Sequence, residues 1–203
     1  MPKATDQTPK SAKLPPVRQS NAKARLREHL TSQEVQKLYQ AARTVGRHGH
    51  RDALMILMMF RHGLRVSEVV QLRWEQVDLS QGLLHVKRVK QGFPSTHPLR
   101  GPELRALRQL QRDYTQNPYL FISERLAPLS VRTAHHIVAR AGRIADMPFT
   151  IHPHMLRHAT GFYLANQGHD TRAIQAYLGH ANIHNTTRYT ALSANRFRDF
   201  WQD

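Results

Sequence analysis

The chain has 203 residues, and its 30 lysines and arginines outnumber its 14 aspartates and glutamates, which gives a formal net charge of +16 at pH 7. This length is typical of one domain with its own core. A positive charge this large favours a polyanionic partner, most often nucleic acid, and the alternatives are a ribosome-associated protein or a generally basic surface. The absence of cysteine excludes disulfides, thiolate metal sites and a thiol nucleophile.

No segment suggests insertion into a membrane. The longest apolar stretch, residues 53–60, is far shorter than the roughly 20 residues that span a bilayer. The N-terminus also lacks the apolar core of a secretory signal. We therefore expect a cytoplasmic protein without a membrane partner, associated with the nucleoid if its polyanion is DNA.

Residues 1–29 are polar, basic and interrupted by proline, a composition that cannot bury a core. They predict a flexible basic arm that follows phosphates, with an inert solubilising tail as the other interpretation. The folded part begins at the capping box of residues 31–34 (Thr-Ser-Gln-Glu), which opens a helix. Further helices are predicted over residues 51–61, 66–72, 103–114, 130–145, 154–166, 171–178 and 195–201.

The hydrophobic period changes between residues 83 and 99. Residues 83–89 (Leu-Leu-His-Val-Lys-Arg-Val) favour a strand, residues 91–94 break it, and residues 96–99 predict a returning strand. The predicted fold class is therefore mostly α (α+β), with one small antiparallel β-hairpin set among helices.

Two segments place arginine where it can bind a phosphate. In residues 63–68 (Gly-Leu-Arg-Val-Ser-Glu), Arg65 follows a glycine turn near a helix start, where backbone N–H groups and a guanidinium fork favour an anion. A surface ion pair is the other interpretation of Arg65. In residues 152–158 (His-Pro-His-Met-Leu-Arg-His), the helical spacing puts His154, Arg157 and His158 on one face.

An imidazole beside a guanidinium suits a pentavalent phosphate, because one group moves protons while the other holds negative charge. His154 and His158 also have the i,i+4 spacing of metal ligands, so a metal site is the competing interpretation. The arginine between them opposes a cation. The zinc-protease pattern would also require a glutamate beside the first histidine.

The last two segments are residues 177–180 (Tyr-Leu-Gly-His) and 188–190 (Arg-Tyr-Thr). A lone tyrosine near a C-terminus usually packs or lies at the surface. Tyr189 would need cationic neighbours or a base to act as a nucleophile, because a phenol has a pKa near 10. This chain supplies both kinds of neighbour.

The four segments together resemble the tyrosine recombinase (phage integrase) family, in order and spacing, from about residue 30 to residue 192. Residues 92–99 and 152–158 are most similar to those of the fimbrial phase-variation invertases, short bacterial members that flip a promoter-bearing DNA segment. The resemblance implies a helical tyrosine-recombinase catalytic domain over residues 30–192, between the arm of residues 1–29 and a tail helix of residues 193–203. The tail would dock on its own domain or on a neighbouring protomer, and both are open.

The resemblance also implies roles for individual residues. Tyr189 would attack the scissile phosphate and become joined to the DNA 3′ phosphate. Arg65 and Arg157 would hold the non-bridging oxygens, His154 would accept the proton of the tyrosine, and His180 would hydrogen-bond the phosphate.

A hairpin lysine would protonate the leaving 5′ oxygen. Lys90, which precedes the turn, is the predicted general acid, and Lys87 is the alternative. His158 would play a supporting structural role. No cofactor and no metal are implied, because fixed arginines supply the electrostatic stabilisation.

The implied partners are double-stranded DNA with inverted-repeat sites, three further copies of the chain in a synaptic homotetramer, and DNA-bending host proteins. Most family members carry a further N-terminal domain of about a hundred residues, and only some thirty residues precede the catalytic region here. Two other functions compete with recombination: a non-enzymatic DNA-binding regulator on the same fold, and a histidine-based metallohydrolase.

Overall fold

The computed structural model describes residues 28–88, 92–114, 117–191 and 193. These residues form helices α1 to α8, one 3-10 turn and strands β1 to β3. In chain order they are α1 Ser32–Arg43, α2 Gly49–His62, α3 Val66–Val70, the 3-10 turn Trp74–Gln76, β1 Val77–Asp78, β2 Leu83–Val86, β3 Ser95–Pro98, α4 Gly101–Asp113, α5 Val131–Ile144, α6 Pro153–Asn166, α7 Thr171–Leu178 and α8 His184–Ala191.

Helix α1 begins at the predicted capping box. The backbone N–H of Thr31 donates to the Glu34 carboxylate at 2.8 Å, and the Thr31 hydroxyl accepts from the Glu34 backbone N–H at 3.3 Å. This reciprocal pair satisfies two N–H groups that a helix start would otherwise leave without partners. The apolar face of α1 is buried on α2 and α5.

Helix α2 lies at the centre of the core. Six of its apolar side chains are at most 1% exposed: Ala53, Leu54, Met55, Ile56, Met58 and Met59. It packs against α1, α4 and α6. Gly63 ends it in a left-handed conformation with φ of +56°, which glycine adopts without steric cost. The chain then turns directly into Arg65 and α3.

The three strands form one antiparallel sheet in the order β1-β2-β3, with Val86 opposite Ser95 and Leu83 opposite Pro98. The predicted fold class is confirmed. Strand β2 ends at Val86 rather than at residue 89, and β1 was not predicted. Lys90 lies outside the described residues.

A smaller apolar cluster joins α6, α7 and α8, and contains Phe162, Ile174, Leu178 and Tyr189. Helix α8, which carries Tyr189, is not among the predicted helices. Of the predicted arm, Glu28 and His29 are described, and they contact Arg188 and Phe162. Of the tail, Ser193 is described, so the predicted tail helix lies outside the described residues. Within the described residues, no helix is both long and apolar enough to cross a membrane.

Candidate active site

Arg157 is 1% exposed, although its guanidinium carries a full charge. Nη1 donates to the carbonyl of Gly63, and Nη2 donates to the carbonyl of Leu178 at 2.8 Å. The two carbonyls belong to the C-terminal ends of α2 and α7, where helix carbonyls lack intrahelical partners. Arg157 therefore binds two helix ends together and keeps its charge without a bonded carboxylate among the described residues.

Arg65 lies at the N-terminus of α3 and is held by Glu68. Its Nη1 donates to Oε1 of Glu68 at 2.7 Å, and its backbone N–H donates to Oε2 at 2.9 Å. The Arg65 side chain is 26% exposed, and with His154 it lines a cleft that is open to solvent. The structure thus brings together the first predicted arginine and the first histidine of the His-Met-Leu-Arg-His segment.

Tyr189 is 2% exposed. Its ring meets the ring of Phe162 edge-on at 5.2 Å, and a Cβ on Gly161 would lie 2.5 Å from a ring carbon. Its hydroxyl forms a 2.9 Å hydrogen bond with Nδ1 of His158. The tyrosine is therefore enclosed on one side by α6, and its close histidine partner is His158 rather than His154.

The other two histidines lie around this pair. His154 meets His158 edge-on at 4.3 Å between ring centroids. The ring of His180 stacks at 6.3 Å from that of Tyr189, and its Nδ1 forms a 2.8 Å hydrogen bond with Oγ1 of Thr186 on α8. Thr186 and Tyr189 are three residues apart, so one face of α8 contacts His180 through Thr186 and His158 through Tyr189.

The electrostatics of the site favour neutral histidines and a protonated tyrosine. Burial is the largest cause in each case. It lowers the pKa of His158 and of His180 to about 3, with further lowering from His154 and from Arg157 respectively. Partial burial, Arg157 and Arg65 likewise lower the pKa of His154. Burial raises the pKa of Tyr189, and the charge of Arg157 offsets this only in part.

Arg157 nevertheless stays charged. Burial and the nearby charges of Arg65 and Arg88 lower the pKa of Arg157 to about 9, which is still above neutral pH. Burial raises the pKa of Glu68, but the Arg65 backbone N–H and the charge of Arg88 outweigh it, so that the net pKa is lowered and Glu68 is a carboxylate. A neutral imidazole can accept a proton, and a fixed guanidinium can stabilise a phosphate oxygen.

Five of the six predicted site residues meet here: Arg65, His154, Arg157, His180 and Tyr189. The catalytic roles of these five stay predictions, as does the general-acid role of the sixth, Lys90. The alternative, Lys87, has a 75% exposed side chain whose Nζ lies 3.7 Å from the Glu75 carboxylate. Among the described residues, no three His, Asp or Glu side chains are grouped so that they could hold a metal ion, and the i,i+4 pair His154 and His158 has no third ligand there.

The sequence did not identify two residues of the site, Glu68 and Arg88. Glu68 ends the Gly-Leu-Arg-Val-Ser-Glu segment, three residues after Arg65, and that spacing was a usable signal. Arg88 gave no local signal, because its carboxylate partner lies 20 residues away.

The buried Arg157, the half-buried Arg65 and the buried Tyr189 with its flanking histidines are the arrangement expected of a tyrosine recombinase catalytic domain. The model of the phage integrase family matches residues 28–196, and the chain belongs to that family, whose enzymes are the tyrosine recombinases.

Among its relatives are two fimbrial proteins of Escherichia coli K12. The chain is 42% identical over 182 residues to type 1 fimbriae regulatory protein FimE, covering 87% of this chain and 91% of FimE. It is 42% identical over 180 residues to type 1 fimbriae regulatory protein FimB, covering 86% of this chain and 90% of FimB.

The solved structures agree on the fold. The crystal structure of XerA recombinase superposes with a TM-score of 0.73 at 26% identity, over 85% of this chain and 63% of that one. XerH site-specific recombinase bound to its palindromic difH substrate superposes with a TM-score of 0.75 at 22% identity, over 90% of this chain and 54% of that one. The chain thus spans only part of the length of these two recombinases.

Proposed function

We propose that the protein is a site-specific DNA recombinase that breaks one strand with Tyr189 and inverts a promoter-bearing segment to control fimbrial phase variation. The observation that carries the chemistry is the cationic cluster around Arg157, beside Tyr189: Glu68 binds Arg65 and Arg88, while Arg157 donates to two backbone carbonyls. The cluster's net charge of about +2 complements the roughly two negative charges of a pentavalent phosphate. The 42% identity to FimE supports the fimbrial target.

The reaction exchanges one phosphodiester for another. Oη of Tyr189 attacks the scissile phosphorus, the bond to the 5′ oxygen breaks, and a 3′-phosphotyrosine forms. Arg65, Arg157 and His180, called the phosphate clamp below, hold the non-bridging oxygens. His154 accepts the tyrosine proton and Lys90 protonates the leaving 5′ oxygen. The phosphotyrosine conserves the bond energy, so religation needs no nucleotide.

The nucleophile must move before it reacts. At 2% exposure, Oη of Tyr189 cannot reach a phosphate that lies in the open cleft beside Arg65. Its hydrogen bond to His158 therefore has to break as α8 shifts towards the DNA. This gives His158 a supporting role, in which it holds the unused nucleophile, while His154 lies at the exposed side where the phosphate would bind.

The partners follow from the reaction. Inversion needs two inverted-repeat sites on double-stranded DNA and four copies of the chain in one synaptic complex, with DNA-bending host proteins bringing the sites together in the cytoplasm. Residues 1–29 add phosphate contacts around the catalytic domain of residues 30–192. The tail of residues 193–203 docks on that domain or on a neighbour.

The test is formation of a covalent protein–DNA adduct. A radiolabelled half-site with a nick near the scissile phosphate is mixed with protein in EDTA, and the adduct is separated on a denaturing gel. We expect the wild type to form it, Tyr189→Phe to bind DNA without forming it, and Tyr163→Phe, an exposed tyrosine of the neighbouring α6, to form it normally. DNA binding without an adduct by the wild type would instead indicate a regulator, and loss in EDTA would indicate a metallohydrolase.

A plasmid assay tests the direction of recombination. A promoter segment between inverted repeats of the host fimbrial locus is scored by PCR for its orientation after expression of the protein. Inversion is expected, and excision of a directly repeated control with no inversion would contradict the fimbrial assignment.

A further inference from the structure

We infer that Arg88 is a positioning residue for the phosphate clamp: it does not touch DNA, but it fixes the elements that carry Arg65 and His180 and the helix ends whose carbonyls bind Arg157. The inference rests on the proposed function. Arg88 follows β2, two positions after its last residue, and its side chain is 0% exposed. A side chain without solvent contact cannot bind a phosphate in an open cleft, so any effect on the reaction must pass through its neighbours.

The guanidinium of Arg88 reaches three separate elements. Nη1 donates to Oε2 of Glu68 on α3 at 3.0 Å. Nη2 donates to the carbonyl of Tyr177 on α7 at 2.5 Å and to that of His62 on α2 at 3.3 Å. The planar fork of arginine suits this set of acceptors, whereas a lysine ammonium is a compact point charge.

The first of these acceptors connects Arg88 to Arg65. Both arginines bind the Glu68 carboxylate. The Arg65 guanidinium donates to Oε1, and the Arg65 backbone N–H and the Arg88 guanidinium both donate to Oε2. Glu68 is buried, and a buried carboxylate is held in place by its partners. Loss of Arg88 would remove one of the two arginines that hold the Glu68 carboxylate, and the carboxylate would then pull the Arg65 guanidinium inward, away from the cleft.

The helix ends connect Arg88 to Arg157. The Gly63 carbonyl accepts from Arg157 and lies 3.5 Å from Nη1 of Arg88. On α7, Arg88 binds the Tyr177 carbonyl while Arg157 binds that of the next residue, Leu178. The two guanidinium groups therefore bind the same two helix ends, the C-termini of α2 and α7. Each arginine thereby helps to hold in place the carbonyls to which the other donates.

The third connection runs through Gly179 to His180. Gly179 ends α7 with φ of +63°, and a Cβ there would lie 2.7 Å from Cγ and 2.8 Å from Nε of Arg88. The C-terminus of α7 thus packs directly against the aliphatic part of the Arg88 side chain, and His180 is the residue that follows Gly179. All three members of the phosphate clamp depend on one buried side chain from the hairpin.

A double-mutant cycle on adduct formation tests this inference. We expect Arg88→Met to slow single-turnover cleavage about tenfold to a hundredfold, since misplacement of about 1 Å at an active site has an effect of that size, while DNA affinity changes less than about threefold. Because Arg88 also holds the acceptors of Arg157 and the end of α7 before His180, only part of its effect should disappear once Arg65 is gone. The double variant Arg65→Ala with Arg88→Met should then cleave at least about threefold faster than the product of the two single defects predicts.

Arg51→Met is the matched control. Arg51 is also buried, and it donates to the Asp52 carboxylate and to the Ile122 carbonyl, but it lies about 18 Å along α2 from Gly63 at a rise of about 1.5 Å per residue. Arg51→Met should lower the melting temperature and leave the cleavage rate of the folded protein within about threefold of wild type. Arg88→Lys keeps the charge beside Glu68, so it serves if Arg88→Met does not fold. Its smaller defect should likewise shrink in the Arg65→Ala background.

Two outcomes would overturn the inference: cleavage by both Arg88 variants at the wild-type rate, or a double variant whose defect equals the product of the two single defects. Failure of the proposed function would look different, because the wild-type protein itself would then form no adduct.

Discussion

A cluster of arginines lies at each end of α2, and the two clusters differ in how far their buried positive charge is balanced by carboxylates. At the N-terminal end, Nε and Nη2 of Arg51 both donate to Oδ1 of Asp52, at 2.9 and 2.7 Å, and Arg140 donates to Oδ2 at 3.0 Å. The Arg140 side chain is 43% exposed, so water solvates its charge. The buried part of this cluster is therefore one cation paired with one anion.

At the C-terminal end, the buried group of Arg88, Arg157 and Glu68 is not neutral, although a second buried carboxylate there, Glu103, pairs with His62 and Arg61. Arg88 and Arg157 are both buried, and Glu68 is the carboxylate they face. The hydrogen bonds of Arg157 go to two backbone carbonyls. A buried charge without a counterion is unfavourable. An arrangement that keeps one has a use for it, and we assign that use to the phosphate. The cluster at the N-terminal end of α2 therefore stabilises the fold, whereas the cluster at the C-terminal end is suited to binding an anionic ligand.

The largest expected effect comes from exchanging one arginine at each end for methionine. Arg157→Met should lower the single-turnover cleavage rate by at least about 10² to 10³, the typical effect of one donor to a transition-state oxyanion. Arg51→Met should keep the cleavage rate but cost up to about 3–5 kcal/mol of stability, since it leaves a buried carboxylate without its main partner. Cleavage rates and urea unfolding of both variants check this, and equal losses of cleavage would remove the distinction between the two clusters.

A smaller effect is expected at two glycines with positive φ. Ala at either position is strained by roughly 1–2 kcal/mol. At Gly168, with φ of +83°, no heavy atom of the described residues lies within 4 Å of the new Cβ, whereas at Gly179 the Cβ would lie 2.7 Å from Arg88. Gly168→Ala should therefore lose stability only, and Gly179→Ala should also lose cleavage about tenfold or more. The same adduct assay separates them, and wild-type cleavage by Gly179→Ala would count against the contact with Arg88.

Most of the fold was predictable because its signals are local. The capping box of α1, the glycine after α2 and the proline at the start of α6 each mark a boundary by backbone chemistry. Helix α8 was missed because its sequence, His-Asn-Thr-Thr-Arg-Tyr-Thr-Ala, is rich in residues of low helix propensity. Burial of Thr186 and Tyr189 against α6 and α7 stabilises it instead, and such tertiary packing is not visible in a local window.

The site was predictable in its residue types and less so in its contacts. Motif spacing identified five residues that the fold brings together, from segments more than a hundred positions apart. It did not indicate that Tyr189 would bond to His158, because both candidate histidines lie on one face of α6. It also gave no reason to bury Arg88, since one arginine among 30 basic residues is normally solvated.

The unpaired charge at the C-terminal end of α2 should also affect stability in mild acid. Burial, then Arg157 and Arg65, lower the pKa of His180 to about 3, against about 6.5 in the unfolded chain. The unfolded state therefore binds protons that the folded state excludes, so stability is complete above pH 6.5 and falls as the pH is lowered. Urea midpoints from pH 7 to pH 5, above the range of the carboxylates, should show this fall. It should be shallower in Arg157→Met and unchanged in Arg51→Met, and equal slopes in all three proteins would contradict the assignment.

The smallest effect is expected at an exposed ion pair outside the two buried arginine clusters. Nη2 of Arg188 donates to Oε2 of Glu28, with side chains 44% and 34% exposed. Pairs of this kind contribute at most about 1 kcal/mol, because water and salt screen them. Glu28→Gln should therefore change the free energy of unfolding by less than about 1 kcal/mol, with the difference shrinking further as salt is added. Although Arg188 is the chain neighbour of Tyr189, adduct formation should stay within about twofold of wild type, because the tyrosine is held by His158 and by the packing of α8 on α6. A tenfold rise in cleavage by Glu28→Gln would mean that this exposed pair, and not the buried contacts, keeps the nucleophile in place.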